Sequence, residues 1–307
     1  MSPDVMGSEL PCLRLHHGPV DDDLNRRLAA LDGSDAVDAL VDLGHALHEA
    51  SRYGDAAQCF RRAARDGDGA VLFQLGWSLA AQERWGDAAV AFRGAAAAGD
   101  VGGWLHLGVV LEELGDLAGA RRAYEEAADA GDPDGWVHQA WMLRLLGDQD
   151  GATEALRAGV DAGSELAGAV QTCWRWDATR DPALEPALRA GADLYPDTRA
   201  DLAALLRQSG RLEEARSVLE RGVELGEAAS MLPLGDLLGD DLADDDAAER
   251  AYRSGIAAGD AFCHNNLGVL LLDRGDVAGA AEQFMLGELG GDAEAAANLT
   301  SLRDDGP

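Results

Sequence analysis

Small and apolar residues in this chain follow a helical rhythm rather than an alternating one. Trp104, Leu107, Gly108 and Leu111 stand at i, i+3, i+4 and i+7, the stripe of an amphipathic helix. Gly115-Asp116 ends that stripe. Glycine supplies the left-handed residue that closes a helix, and aspartate suits the start of the next one. A second helix is then predicted from about Leu117 to Ala130, with Ala120, Tyr124 and Ala127 on its packed face, closed by Gly131-Asp132. The small Gly108 and Ala120 leave room for the Tyr124 ring, so the two axes are expected near the close end of the usual range of roughly 8–10 Å.

The same two-helix phrase returns about every 32 residues. Leu43-Gly44, Leu75-Gly76, Leu107-Gly108, Gln139-Ala140, Leu234-Gly235 and Leu267-Gly268 mark its small-residue slot. A large residue follows sixteen positions later at Phe60, Phe92, Tyr124, Leu156 and Phe284, while Tyr252 arrives one residue late. Strand patterns are nearly absent. A fixed period over most of the chain predicts stacked supersecondary units, each burying its apolar face against its neighbours, and so one solenoid rather than two globular domains.

Eight repeats are expected, over 37–68, 69–100, 101–132, 133–164, 165–195, 196–227, 228–260 and 261–292. The seventh has one extra residue, which accounts for the late Tyr252. Residues 1–20 read as a loosely ordered arm, 21–36 as a capping half-repeat carrying Leu24, Leu28 and Leu31, and 293–307 as a closing helix and tail. The fifth repeat, 165–195, is degenerate. Thr172 takes the small slot, Arg175 stands where a leucine belongs, and Pro182 and Pro186 fall in the expected second helix, where proline would cost about 3 kcal/mol. Two readings stand open for it: a site remodelled around Trp174 and Trp176, or a tolerated defect or hinge.

Charge narrows the partner classes. The formal net charge is −31, and all 25 basic residues are arginine. Nucleic acid is thereby disfavoured, because a polyanion is held by clustered basic side chains that release its counterions. The acidity fits either attraction to a basic partner or a solvated, soluble surface. Cys12, Cys59, Cys173 and Cys263 lie far apart, without the paired spacing of a zinc or redox motif. The first residues lack a basic segment followed by an apolar run, and no stretch reaches the roughly 18 apolar residues that would cross a bilayer. A cytoplasmic, membrane-free setting is the expectation.

The repeat resembles the tetratricopeptide repeat. That family's unit carries Trp, Leu, Gly and Tyr/Leu on its first helix, then Ala, Phe/Tyr and Ala on its second. Here Trp104, Leu107, Gly108, Leu111, Ala120, Tyr124 and Ala127 match, as do Leu75, Gly76, Leu79, Ala88, Phe92 and Ala95. Trp136, Leu143, Ala152, Leu156 and Gly159 match in the next copy, and Leu267, Gly268, Leu271, Ala280 and Phe284 downstream. The family's unit has about 34 residues, two more than most units here. The related Sel1-like repeats share the glycine-alanine flavour but are generally longer. The resemblance implies an all-α, right-handed α-solenoid whose first helices line a concave groove that grips a peptide or helix of another protein.

Residues off the packing stripe would line that groove. Phe73, Trp77, Trp141 and Trp176 are the candidate apolar anchors, with Arg144 and Arg207 to pair with a carboxylate; exposed aromatics and arginine dominate interface energies. The bland alternative is that these rings pack against the next repeat. The family's chaperone-binding members hold a terminal carboxylate with a lysine and asparagine clamp, and this chain has no lysine. No catalytic, cofactor or metal site is expected. His45 and His48 lack further ligands and read as a solvent-facing pair, Cys263-His264 point to different sides of a helix, and the Gly-Asp turns lack phosphate-loop order. The chain therefore reads as a non-enzymatic scaffold or adaptor, with an acidic regulatory protein that binds a basic effector as the alternative.

Overall fold

The computed structural model describes Leu24, Arg27, residues 37–64 and residues 68–304. The predicted arm at 1–20, Cys12, most of the predicted front cap at 21–36 and the tail at 305–307 lie outside the described residues. All described secondary structure is helical: an all-α repeat solenoid built of short helix pairs. The helices are α1 (Val37–Glu49), α2 (Tyr53–Ala63), α3 (Gly69–Ala80), α4 (Trp85–Ala97), α5 (Gly102–Glu113), α6 (Leu117–Asp129), α7 (Gly135–Leu145) and α8 (Gln149–Asp161). They continue as α9 (Glu165–Thr179), α10 (Glu185–Gly191), α11 (Pro196–Gln208), α12 (Leu212–Glu224), α13 (Ala228–Asp236), α14 (Asp245–Ala257), α15 (Phe262–Asp273), α16 (Val277–Leu289) and α17 (Ala293–Asp304). The chain divides into two compact units, the first ending at Ala167 and the second beginning at Gly168.

The small slots and the large residues sixteen positions later meet as one lock. A Cβ added to Gly44, Gly76 or Gly268 would lie 2.6–2.7 Å from ring atoms of Phe60, Phe92 or Phe284, respectively, and Gly108 and Gly235 press as closely on Tyr124 and Tyr252. Phe60, Phe92, Tyr124 and Phe284 are wholly enclosed. In the fourth repeat, where the slot is Ala140, the filler is the smaller Leu156, and both are buried. Close packing explains the pairing, since volume added on one side must leave the other.

From the second repeat onward, successive pairs also approach through glycine, and the glycine changes sides along the chain. Gly103 and Gly135, on first helices, lie against the backbone of the preceding second helix at Ala96 and Ala128. From Gly159 onward the glycine is on the second helix: Gly159 faces Ala167, Gly191 faces Thr198, Gly222 faces Ser230, Gly255 faces Cys263 and Gly287 faces Ala295. One partner of each contact is glycine, which is what backbone-close packing requires.

Turns inside the repeats use two devices. Asp116, Asp148 and Asp276 cap the second helix by accepting from the N–H of Gly119, Gly151 and Gly279, each at 2.9 Å. Where arginine holds the cap position no side-chain cap forms. Instead Arg52, Arg84 and Arg211 pair with Asp55, Asp87 and Glu214 three residues on. The extra residue of the seventh repeat is absorbed as a π-helical turn over Leu237–Asp241, in which the Leu242 N–H donates to the Leu237 carbonyl at 3.1 Å. Gly235 and Tyr252 therefore still meet across the longer spacing.

The fifth repeat keeps its register, and its prolines stand at the starts of helical segments rather than in a helix interior. Pro182 opens a short 3₁₀ turn capped by Asp181, and Pro186 sits in the first turn of α10, where a missing N–H costs little. Arg175 is solvent-exposed. The next residue, Trp176, fills the core instead and packs among Leu184, Leu188, Leu202 and Leu206. Leu188, sixteen residues after Thr172, is completely buried. At the far end, α17 lays Ala295 and Leu299 on α16. Leu24, from the predicted front cap, is buried in the core of the first unit.

Candidate functional site

In the first unit the first helices α1, α3, α5 and α7 carry the aromatic candidates. Phe73 and Trp77, one turn apart on α3, are in edge contact at 6.4 Å between ring centroids. His106 of α5 is inserted between them and the core, 4.7 Å from Trp77, 5.1 Å from Phe73 and 5.5 Å from Phe92. Both rings are only half-buried, although they lean on the core. The two sequence readings are therefore not exclusive, because each ring packs on a neighbour with one edge and meets solvent with another. Trp141 on α7 is also half-buried, with the Arg144 guanidinium 5.6 Å from its ring centre, within cation–π range.

Three part-buried titratable side chains, His106, Glu112 and His138, underlie this face. The Tyr124 hydroxyl donates to Glu112, whose carboxyl is raised above its ordinary range, mainly by burial. His138 stacks on Tyr124 at 4.8 Å, and burial lowers its pKa. His106 is pushed down to about 4, mainly by burial and then by the charge of His138, with Asp100 and Asp132 opposing. Folded His106 thus stays neutral while the unfolded chain takes up a proton below about pH 6.5. Stability from this residue is complete above pH 6.5 and is lost as the pH falls toward 4, by up to about 3 kcal/mol. Glu112 works in the opposite sense, so the informative measurement is a comparison of variants. Urea unfolding of His106→Gln at pH 7 and pH 4.5 should show a smaller acid loss than the unsubstituted chain.

On α11, α13 and α15 of the second unit charged and polar side chains take the place of the aromatic cluster, although α15 also exposes Val269 and Leu272. Asp236 accepts from the Tyr252 hydroxyl at 2.9 Å and from Asn266 Nδ2 at 2.7 Å, and burial raises its pKa. Arg207 pairs with Asp240 at 3.1 Å and with Asp241, both on the π turn. Asp201 is pushed up to about 7, chiefly by burial, with Asp177 and Asp197 adding to it. Below this surface Arg199, only 5% exposed, bridges Asp193 and Glu227 at 2.8 Å each.

The sequence candidates fare differently. Phe73 and Trp77 are brought together, and Trp141 and Arg144 form a second pair on α7. Trp176 does not line a surface: it is 1% exposed, because it takes the core place that Arg175 leaves vacant, and Arg180 covers its ring at 5.2 Å. Arg207 is at the surface but already holds two carboxylates of its own chain. His48 is not simply solvent-facing, since its Nδ1 lies 3.1 Å from Ser78 Oγ and its ring packs on Tyr53. Cys59, Cys173 and Cys263 are buried free thiols raised by burial. No group of three or more metal-ligating side chains occurs among the described residues, and none of their helices is long and apolar enough to cross a membrane.

His106 is the residue that stripe counting overlooks. It stands two positions before the small slot, as do His138 and Asn266, and all three reach the ring residue of the preceding repeat or its hydrogen-bond partner. That shared register is the sequence signal that could have found them.

Two family models, both described as tetratricopeptide repeat, match residues 73–135 and 197–230. No curated protein is a significant match. Among solved structures, the chain is similar to c5321, a protective antigen of uropathogenic Escherichia coli strains with an SLR fold, at 20% identity and a TM-score of 0.57, covering 91% of this chain and 67% of that one. It is also similar to a Sel1 repeat protein from Oxalobacter formigenes, at 18% identity and a TM-score of 0.56, covering 71% of this chain and 99% of that one. A third similarity is to the structure of the APC/C hetero-tetramer Cut9–Hcn1, at 16% identity and a TM-score of 0.60. It covers 92% of this chain and 59% of the other, so this chain spans little more than half of that protein's length.

Proposed function

Because the chain is a tetratricopeptide/Sel1-like repeat protein, we propose that it is a non-enzymatic scaffold that holds a peptide or helix of another protein on the first-helix face of its first unit. The observation that carries this reading is the half-buried cluster of Phe73, Trp77 and His106. Rings already ordered by contact with the core lose little freedom on binding, which favours them as anchors. Trp141 supplies a further anchor, and Arg144 a guanidinium for a carboxylate of the partner. Trp176 has no part in it, and Arg207 would have to release Asp240 and Asp241 before pairing with anything else. Three free cysteines among the described residues support a reducing, cytoplasmic setting.

Capture from native lysate, identified by mass spectrometry, tests this. Trp77→Ala combined with Trp141→Ala should lose the partners retained by the unsubstituted chain, with helical circular dichroism kept. Retention of the same partners by the double variant would end the proposal.

A second reading concerns the second unit alone. Asp201 and Asp236 are held above the ordinary carboxylate range, and a cationic segment laid across them would relieve that cost. Such a charge-led complex should weaken sharply between low salt and physiological salt, where the screening length is about 8 Å. Aromatic anchoring on the first unit should persist.

A further inference from the structure

The imidazole of His106 is caged by rings of two other helices. Phe73 and Trp77 of α3 and Phe92 of α4 lie 5.1, 4.7 and 5.5 Å from its centre, and Phe73 itself packs on Phe92 at 5.6 Å. Neither ring nitrogen of His106 has a hydrogen-bond partner among the described residues. An uncharged imidazole suits such a place, because a half-buried ring can turn one nitrogen to the solvent edge. An imidazolium does not, since it carries two N–H donors and a positive charge, and burying a charge without acceptors is costly.

The groups around the cage leave that cost in place. α3 carries no ionisable side chain, and α4 meets the imidazole with Phe92. Burial disfavours the charged form most, and His138 of α7 adds to it; Asp100, in the turn after α4, and Asp132, in the turn after α6, oppose them without prevailing. Glu112, farther along α5, is taken by the Tyr124 hydroxyl. We propose that the cage is a proton-operated catch on the binding face: uncharged His106 spaces Phe73 and Trp77 for a partner, and charged His106 swings to the solvent edge and covers Trp77. The functional half of this inference rests on the reading of the first unit as a scaffold surface. The exposed edge of the indole is where a displaced imidazolium is best received, because the ring attracts a cation that water still reaches. The space left behind lets Phe73 settle onto Phe92, so both anchors are re-aimed by one proton.

The test follows the Trp77 indole N–H resonance of the full chain by NMR as the pH is lowered, the signal being identified by its loss in Trp77→Phe. It should shift with one midpoint, between the value of about 4 that holds in the cage and the 6.5 of a free imidazole. Helical circular dichroism should be unchanged across that midpoint, and His106→Gln should abolish the shift. An indole signal that does not move overturns the proposal, as does an equal shift in His106→Gln or a shift that coincides with loss of helix. Should His106→Gln fail to fold, the His106 ring protons of the unsubstituted chain decide: a midpoint different from that of Trp77 overturns it. Proteins captured from lysate at pH 7 separate this inference from the reading beneath it. A step below the midpoint should release them from the unsubstituted chain and leave them on His106→Gln. Retention by both overturns the catch and leaves the scaffold standing, whereas proteins that Trp77→Ala with Trp141→Ala still holds at pH 7 overturn the scaffold surface itself.

Discussion

Replacing Trp176 with alanine is expected to lower the unfolding free energy of the second unit by about 3–5 kcal/mol in urea denaturation. The indole is 1% exposed and is enclosed by leucines of α10 and α11 and of the turn between α9 and α10. Truncation would leave a void that the short α10 and its 3₁₀ turn are poorly placed to close. Arg175→Ala, one residue earlier and exposed, should change stability by no more than about 0.5 kcal/mol. The contrast separates the two sequence readings of the fifth repeat. A Trp176→Ala variant of near-normal stability that had lost partner capture would restore the remodelled-site reading. A strongly destabilised one shows that the tryptophan is the repair that lets this repeat keep its place in the stack.

Gly108→Ala is expected to cost about 1–3 kcal/mol, because the new methyl would meet the Tyr124 ring with no space between them. Tyr124→Leu should also destabilise, since it removes a wholly buried ring and the hydroxyl that bonds Glu112. Together the two changes recreate the natural Ala140–Leu156 pair of the fourth repeat. The double variant should therefore be more stable than the sum of the singles by about 1 kcal/mol or more in a double-mutant cycle. Strict additivity would mean that slot and filler are chosen independently, contrary to the packing rule drawn from the glycine–ring repeats and the Ala140–Leu156 pair.

That rule was legible in the sequence because it is local. Gly76 and Phe92, or Gly268 and Phe284, lie sixteen residues apart on two helices joined by one turn, and helical periodicity alone turns them toward each other. The matching of Ala140 with Leu156, the extra residue before Tyr252 and the aspartate caps belong to the same short range. The candidate site was less legible. Phe73, Trp77 and Trp141 were found as rings off the packing stripe, but His106, which organises the first two, was not, because its contacts run to the preceding repeat.

By itself, then, the sequence determined the helix pairs, their period and the slot each ring enters, since these depend on side-chain direction within a single hairpin. Only the tertiary structure decided that Trp176 is core and Arg175 solvent, that Arg207 is held by Asp240 and Asp241, and that Pro182 and Pro186 open their helical segments. Those outcomes turn on volume and charge contributed by residues about 7–35 positions away in the chain, and which of two adjacent side chains fills a space is settled by the neighbours that bound it.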